Sequence, residues 1–204
     1  MVLALDMKPN GNEPTHYFKR REAFPYHCNH LWRIESGIVR TITWDTQGNI
    51  FVLGIWSTGD VVGQRLSDSE CYRIECLSPV MARPLSPSYY CHRGELLSYL
   101  RRTEKLLQIS QMRSVSERLA YFLDYCAHQF GQKTEQGVLL NFHLTHQEIA
   151  DIITSSRVTI TRLMGKLHRQ GQIRWYHKKN KRSLLIQTPI MQPFMTTKSR
   201  TRVL

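Results

Sequence analysis

Gly37, Gly48 and Gly59 stand 11 residues apart, and no other feature restricts the possible folds of this chain as much. Each glycine closes a short run of strand-forming residues where a turn calls for positive φ, a conformation glycine adopts without steric penalty. Residues 31–34 lead into Gly37, residues 38–44 alternate β-branched apolar with polar side chains, and residues 50–56 form a near-continuous apolar run. Residues 45–49 and 57–60 carry turn chemistry, and residues 72–77 and 79–85 predict two further strands. Short strands at this spacing pair as an antiparallel roll or barrel.

After Pro87 the pattern changes to helical. Residues 92–111 hold one glycine, Gly94, and no proline, and are rich in Leu, Arg, Glu and Gln. Leu96, Leu97, Leu100, Leu107 and Ile109 suggest an apolar stripe, interrupted by Thr103 and Glu104. One reading packs this stripe on the roll; the other pairs it with a second copy of the helix as a short coiled coil. A second helix is predicted from Ser114, with Glu117 as its capping-box partner. It runs through Leu119, Phe122, Leu123, Cys126 and Phe130 to a C-cap at Gly131.

The charge of the chain is uneven. It carries 28 Lys and Arg against 16 Asp and Glu, a net of +12. Residues 1–144 hold 16 basic and 14 acidic residues, whereas residues 145–204 hold 12 basic residues and only Glu148 and Asp151 as acids. A C-terminal part so basic points to a polyanionic partner, nucleic acid ahead of a membrane surface. The plainer alternative is a solubilising tail. A 41% hydrophobic and 22% charged composition excludes collagen-like and wholly disordered chains. No apolar run reaches membrane-spanning length, and residues 1–14 read as a leader without a signal peptide's apolar stretch. Five scattered cysteines without CxxC spacing suggest the reducing cytoplasm rather than a disulfide framework.

The residues that decide between tail and reader follow Leu144. Thr145 is placed as an N-cap and Glu148 as its capping-box partner, with Ile149, Ala150, Ile152 and Ile153 on the buried side of a short helix. Thr154 and Ser155 make a polar break. Residues 156–169 then read as a second helix with Ile160, Leu163, Met164 and Leu167 inward. Arg157, Val158, Thr161 and Arg162 face outward, with Lys166 a turn later. Two short helices about a tight turn, the second basic on its open face, make a helix-turn-helix. Arg157 and Arg162 are near enough in angle and rise for both to reach base edges, and arginine bonds guanine O6 and N7 in a bidentate way. Residues 173–176 and 183–187 predict a hairpin about a basic turn, 177–182, which includes Lys178, Lys179 and Lys181. Such a wing suits phosphates.

Thr145, Gln147, Glu148, Ile149 and Ala150, followed by Ser156, Arg157, Thr159, Ile160 and Arg162, resemble the DNA-binding signature of the CRP/FNR transcription regulators. Residues 157–165 and His177, Lys178 and Lys179 are similar to the cyanobacterial nitrogen regulators of the NtcA type. The resemblance is strongest from about residue 100 to 189; over residues 31–85 it rests on strand order, Ser36, Gly37, Gly59, Asp60 and Gly63. It implies an α+β protein with a shortened, cyclic-nucleotide-binding-domain-like roll (1–90), a dimerisation helix (91–112), a winged helix-turn-helix (113–190) and a basic tail (191–204). It further implies a homodimer through the helix 92–111, a palindromic site in double-stranded DNA, and RNA polymerase or a co-regulator as partner. Arg157, Val158 and Arg162 would meet bases, and Thr145, Gln147, Ser156 and Thr159 would fix the DNA backbone with Lys166 and the wing lysines. Val158 stands where many relatives carry a cytosine-reading Glu, which shifts the preference toward apolar contact with a thymine methyl.

Departures from the family pattern bear on the sensor. Where cyclic-nucleotide-binding members carry a ribose-binding Gly-Glu pair, this chain has Gly63 and Gln64, and no Arg-Ser pair follows. The two arginines that hold 2-oxoglutarate in NtcA correspond to Glu70 and Tyr99. Neither cyclic AMP nor 2-oxoglutarate is expected to bind, although Arg65, Arg73 and Arg101 lie near enough for a shifted register to supply charge. Cys28 with His27 and His30 is too loose for a metal site, and the sequence holds no Gly-rich phosphate loop, GxSxG or HExxH motif. Catalysis is not expected. The reading from another class is an effector-binding or interaction module whose winged helix docks a protein.

Overall fold

The computed structural model describes residues 14–25, 30–178 and 181–187, with the backbone alone for residues 177, 178, 181 and 182. The chain divides into two compact units, one ending at Ser110 and the other beginning at Gln111.

The first unit is a β-roll followed by one long helix. Its strands are β1 (His16–Phe18), β2 (Trp32–Ser36), β3 (Ile38–Trp44), β4 (Ile50–Ser57), β5 (Val61–Val62), β6 (Arg73–Cys76) and β7 (Val80–Pro84). They form two antiparallel sheets, ordered β1-β7-β2-β5 and β4-β3-β6. The predicted strands therefore stand, and β1 and β5 are additions. Three and two residues long, these two are too short to show a period. Gly37, Gly48 and Gly59 all take positive φ, at 91°, 82° and 91°. At Gly37 the need is twofold, because a Cβ would also run into the Pro79 carbonyl and Val80.

Inward side chains of both sheets meet in one core: Trp32 and Ile34 from β2, Val39 from β3, Trp56 from β4, Ile74 from β6 and Val80 from β7. Trp56 is 1% exposed, and its indole nitrogen donates to Thr41 Oγ1 at 3.0 Å, so the buried N–H is satisfied. Glycine at position 54 leaves the space that this indole fills. Phe18 stacks on Phe24 at 4.1 Å, and Trp32 meets both edge-on.

Helix α1 spans Arg93–Ser110. Its apolar side chains do not form the single stripe that the sequence suggests. Leu106 and Ile109 are buried, whereas Leu96, Leu97, Leu100 and Leu107 are exposed. Tyr99, left out of the stripe, stacks on Trp56 at 4.3 Å and joins the roll core. Helical periodicity puts Leu106 and Ile109 on one flank and Leu100 and Leu107 on another.

The second unit contains α2 (Val115–Phe130), β8 (Gln132–Thr134), β9 (Gly137–Leu140), α3 (His146–Ile152), α4 (Arg157–Arg169), β10 (Ile173–Lys178) and β11 (Lys181–Ile186). Ser114 and Glu117 form the predicted capping box of α2. Gly131 is its C-cap, but with φ −82° rather than the left-handed conformation; glycine is needed because a Cβ would strike Val138 and the Ala127 carbonyl. The sheet order is β10-β11-β9-β8, so the wing hairpin is extended by a second hairpin. That second hairpin has no sequence signature, since Gln132, Lys133 and Thr134 are all exposed and polar. The buried apolar residues of this unit include Leu119, Phe122, Leu123 and Cys126 of α2, Ile149 of α3, Ile160 and Met164 of α4, Ile173 of β10 and Leu185 of β11. The wing turn is shorter than the sequence suggests. His177 pairs with Arg182 and Lys178 with Lys181 in the ladder, because backbone pairing is indifferent to the charge that marked these residues as a turn. Residues 1–13, the tail 191–204, Cys28 and Lys179 lie outside the described residues.

Candidate nucleic-acid interface

The Thr145 hydroxyl accepts from the Glu148 amide at 3.1 Å, and the Glu148 carboxylate accepts from the Thr145 amide at 2.6 Å. This closed pair fixes where α3 begins. Helix α3 ends at Ile152 with Ile153 as its C-cap, and the chain turns through Thr154 at φ 54°. A threonine in this left-handed conformation is strained. Arg118 of α2 steadies the turn by donating from Nη2 to the Thr154 carbonyl at 3.2 Å. Ser156 then caps α4, its hydroxyl accepting from the Thr159 amide at 3.2 Å and lying 2.9 Å from the Thr159 hydroxyl.

The caps and the turn aim α4. Ile160 and Met164 bury its inner side. Arg157, Val158, Thr161 and Arg162 are exposed, Val158 by 78%. The first turn of α4 contains no acidic residue, so Arg157 adds to the positive end of the helix dipole. Lys166, His168 and Arg169 lie in its last turn and complement the negative end.

The expected site residues are not all brought together. Arg157, Val158 and Arg162 share the open face of α4. Thr145, Ser156 and Thr159 are capping residues, and Gln147 donates to Asp151 Oδ1 at 2.7 Å on the open side of α3. Lys166 is exposed but lies nine residues, or about half a turn in angle, from Arg157. It lines a cavity of about 190 Å³ between α2 and α4, opposite Glu117 and Ala120. Lys178 and Lys181 end the paired strands of the wing; their side chains, and all of Lys179, lie outside the described residues.

Sequence reasoning missed the contacts that join these parts. His146 Nδ1 is 2.8 Å from Thr161 Oγ1, which itself donates to the Arg157 carbonyl at 2.8 Å. The rings of His143 and His146 lie 6.2 and 6.3 Å from that of Trp175 on β10. Two histidines three residues apart are a sequence signal, but their partners are 15 and more residues away.

In the first unit, the positions considered for an effector have local partners. Gln64 donates to the Ser69 carbonyl, Arg65 to the Pro87 carbonyl at 3.0 Å, and Arg73 stacks over Trp44 at 4.9 Å. Glu70 and Arg101 are exposed. A cavity of about 220 Å³ lies beside α1, walled by Trp56, Asp60, Glu95, Ser98 and Tyr99. Both of its carboxylates are paired. Arg102 Nη2 lies 3.0 Å from Asp60, and Arg33 Nη2 lies 2.8 Å from Glu95 and 2.8 Å from the Tyr89 hydroxyl. Burial lifts the Asp60 carboxyl above the usual carboxylate range despite the Ser57 amide and Arg102. At Glu95 burial acts in the same sense but is outweighed by Tyr89, the His92 amide and Arg33, which hold the carboxyl low.

Residues 117–189 match the model of the Crp-like helix-turn-helix domain. The chain is 37% identical over 174 residues to the regulatory protein CysR of Synechococcus elongatus, a match covering 83% of this chain and 82% of that protein. It is also 37% identical to the global nitrogen regulator of the same organism over 84 residues, which is 41% of this chain and 37% of the relative. Among solved structures, TTHB099, a CRP-family transcriptional regulator from Thermus thermophilus, superposes with a TM-score of 0.68 at 22% identity, covering 85% of this chain and 92% of that one. A roll and long helix, a capped and aimed helix-turn-helix, and an extended likeness to CysR lead to one conclusion: the chain belongs to the CRP/FNR family of transcription regulators.

Proposed function

We propose that the chain regulates transcription as a homodimer on a palindromic DNA site, reading each half-site with the open face of α4. The observation that carries this is the joint exposure of Arg157, Val158 and Arg162 on a helix held by a cap at each helix start and by Arg118 at the turn. Arg157 and Arg162 supply bidentate donors for guanine, and Val158 supplies an apolar surface for a thymine methyl. Thr145, Gln147, Ser156 and Thr159 set the register along the phosphates. Lys166, Lys178, Lys179 and Lys181 add charge beside the backbone. The exposed leucines of α1 are the surface through which two copies pair. No described helix is long and apolar enough to cross a membrane, and the protein acts on nucleoid DNA in the cytoplasm, with RNA polymerase or a co-regulator as its protein contact.

Selection from random duplexes tests this reading. An inverted repeat with a guanine in each half-site is expected to be enriched, with unchanged affinity when cyclic AMP or 2-oxoglutarate is added. Gln64 turned to Ser69 and Tyr99 stacked on Trp56 support that independence. Recovery of no common sequence at low salt would remove the proposal.

A further inference from the structure

The Thr161 hydroxyl has two partners within the protein. It donates its single hydrogen to the Arg157 carbonyl at 2.8 Å. The contact with His146 Nδ1, also 2.8 Å, must therefore run the other way, with the Nδ1–H donating to the Thr161 oxygen. Thr161 is nevertheless exposed, on the same face of α4 as Val158 three residues earlier. With its oxygen held by α3 on one side and by its own helix on the other, the group that Thr161 offers outward is its methyl.

The geometry points to Thr161 as a further specificity-determining residue: with Val158 it forms an apolar pair that reads thymine 5-methyl groups, and His146 is the positioning residue that makes Thr161 apolar. The inference deepens the DNA-binding reading above and rests on it. A threonine with a free hydroxyl at the same place would bond to any base with an acceptor or donor in the major groove. Once bonded to His146, it favours the base that presents a methyl. Trp175 stands beside the His146 ring, so the wing strand borders the same contact.

The test replaces thymine by uracil, which removes the methyl and nothing else, at each thymine of the selected half-site in turn. At the thymine facing Thr161, wild-type affinity is expected to fall about fourfold, the equivalent of one lost methyl contact. Thr161→Val, which retains the apolar surface, keeps that penalty, and Thr161→Ser, which retains only the hydroxyl, abolishes it. His146→Ala releases the hydroxyl and shrinks the penalty below about twofold. His146→Asn restores it, since the amide nitrogen takes the place of Nδ1. Each protein is read as a ratio of thymine to uracil duplex, so a general loss of fold or charge divides out. A selected half-site without thymine, indifference of the wild type to every uracil, or a Thr161→Ser protein with the full penalty would overturn the inference. A full penalty in His146→Ala would overturn the part assigned to His146. Failure of the DNA-binding reading itself looks different, because no duplex is then enriched.

Discussion

Arg157 combines one observed contact with one proposed role, and a substitution separates them. Its carbonyl anchors Thr161, a backbone contact that any residue preserves, while its exposed guanidinium is available to a base. Arg157→Ala is therefore expected to cost about 1–3 kcal/mol of binding and to relax the preference at one guanine of each half-site, measured by titrating duplexes with each base at that position. A loss equal on all sequences would place the guanidinium on phosphate. At this scale, what the sequence reveals depends on distance along the chain. The pairs Thr145 with Glu148 and Ser114 with Glu117 are legible because a capping box needs only residues three apart. The link from His146 to Thr161 and the grip of Arg118 on Thr154 span 15 and 36 residues, and no local pattern announces them.

Helix α1 shows the same division among elements. Its extent is readable from composition, but the assignment of its apolar side chains is not. Leu, Tyr and Ile suit either the roll or a second helix, and only the position of Trp56 settles that Tyr99 turns to the roll. Leu100 and Leu107 are 62% and 59% exposed, and the proposed homodimer would pair through them. Replacing both with Glu is expected to give a monomer in sedimentation and to weaken binding to the palindrome by roughly 10²-fold or more, because the second half-site no longer adds avidity. A double variant that sediments as a dimer would move the interface elsewhere. Strands with alternating residues and a glycine at each end are legible in the same way. The pair β8 and β9 is not, because its exposed polar face has no period and it is held by pairing to β11.

Across the whole molecule the charge division runs with function. The basic excess of residues 145–204 falls on the helix-turn-helix, the wing and the tail, while residues 1–144 are nearly neutral. Charge of this kind is recorded in the salt dependence of binding, since each phosphate neutralised releases counterions and adds about −0.9 to the slope of log affinity against log salt. The most direct measurement is the affinity of the full chain for its selected duplex between low and moderate salt, beside a protein with Lys178, Lys179 and Lys181 replaced by Ala. The wild type should show a steep negative slope, and the triple variant a slope shallower by up to about 5 for two wings, with its base preferences intact. A nearly flat wild-type slope would contradict DNA binding through this unit, and an unchanged slope in the variant would place the wing away from the phosphates.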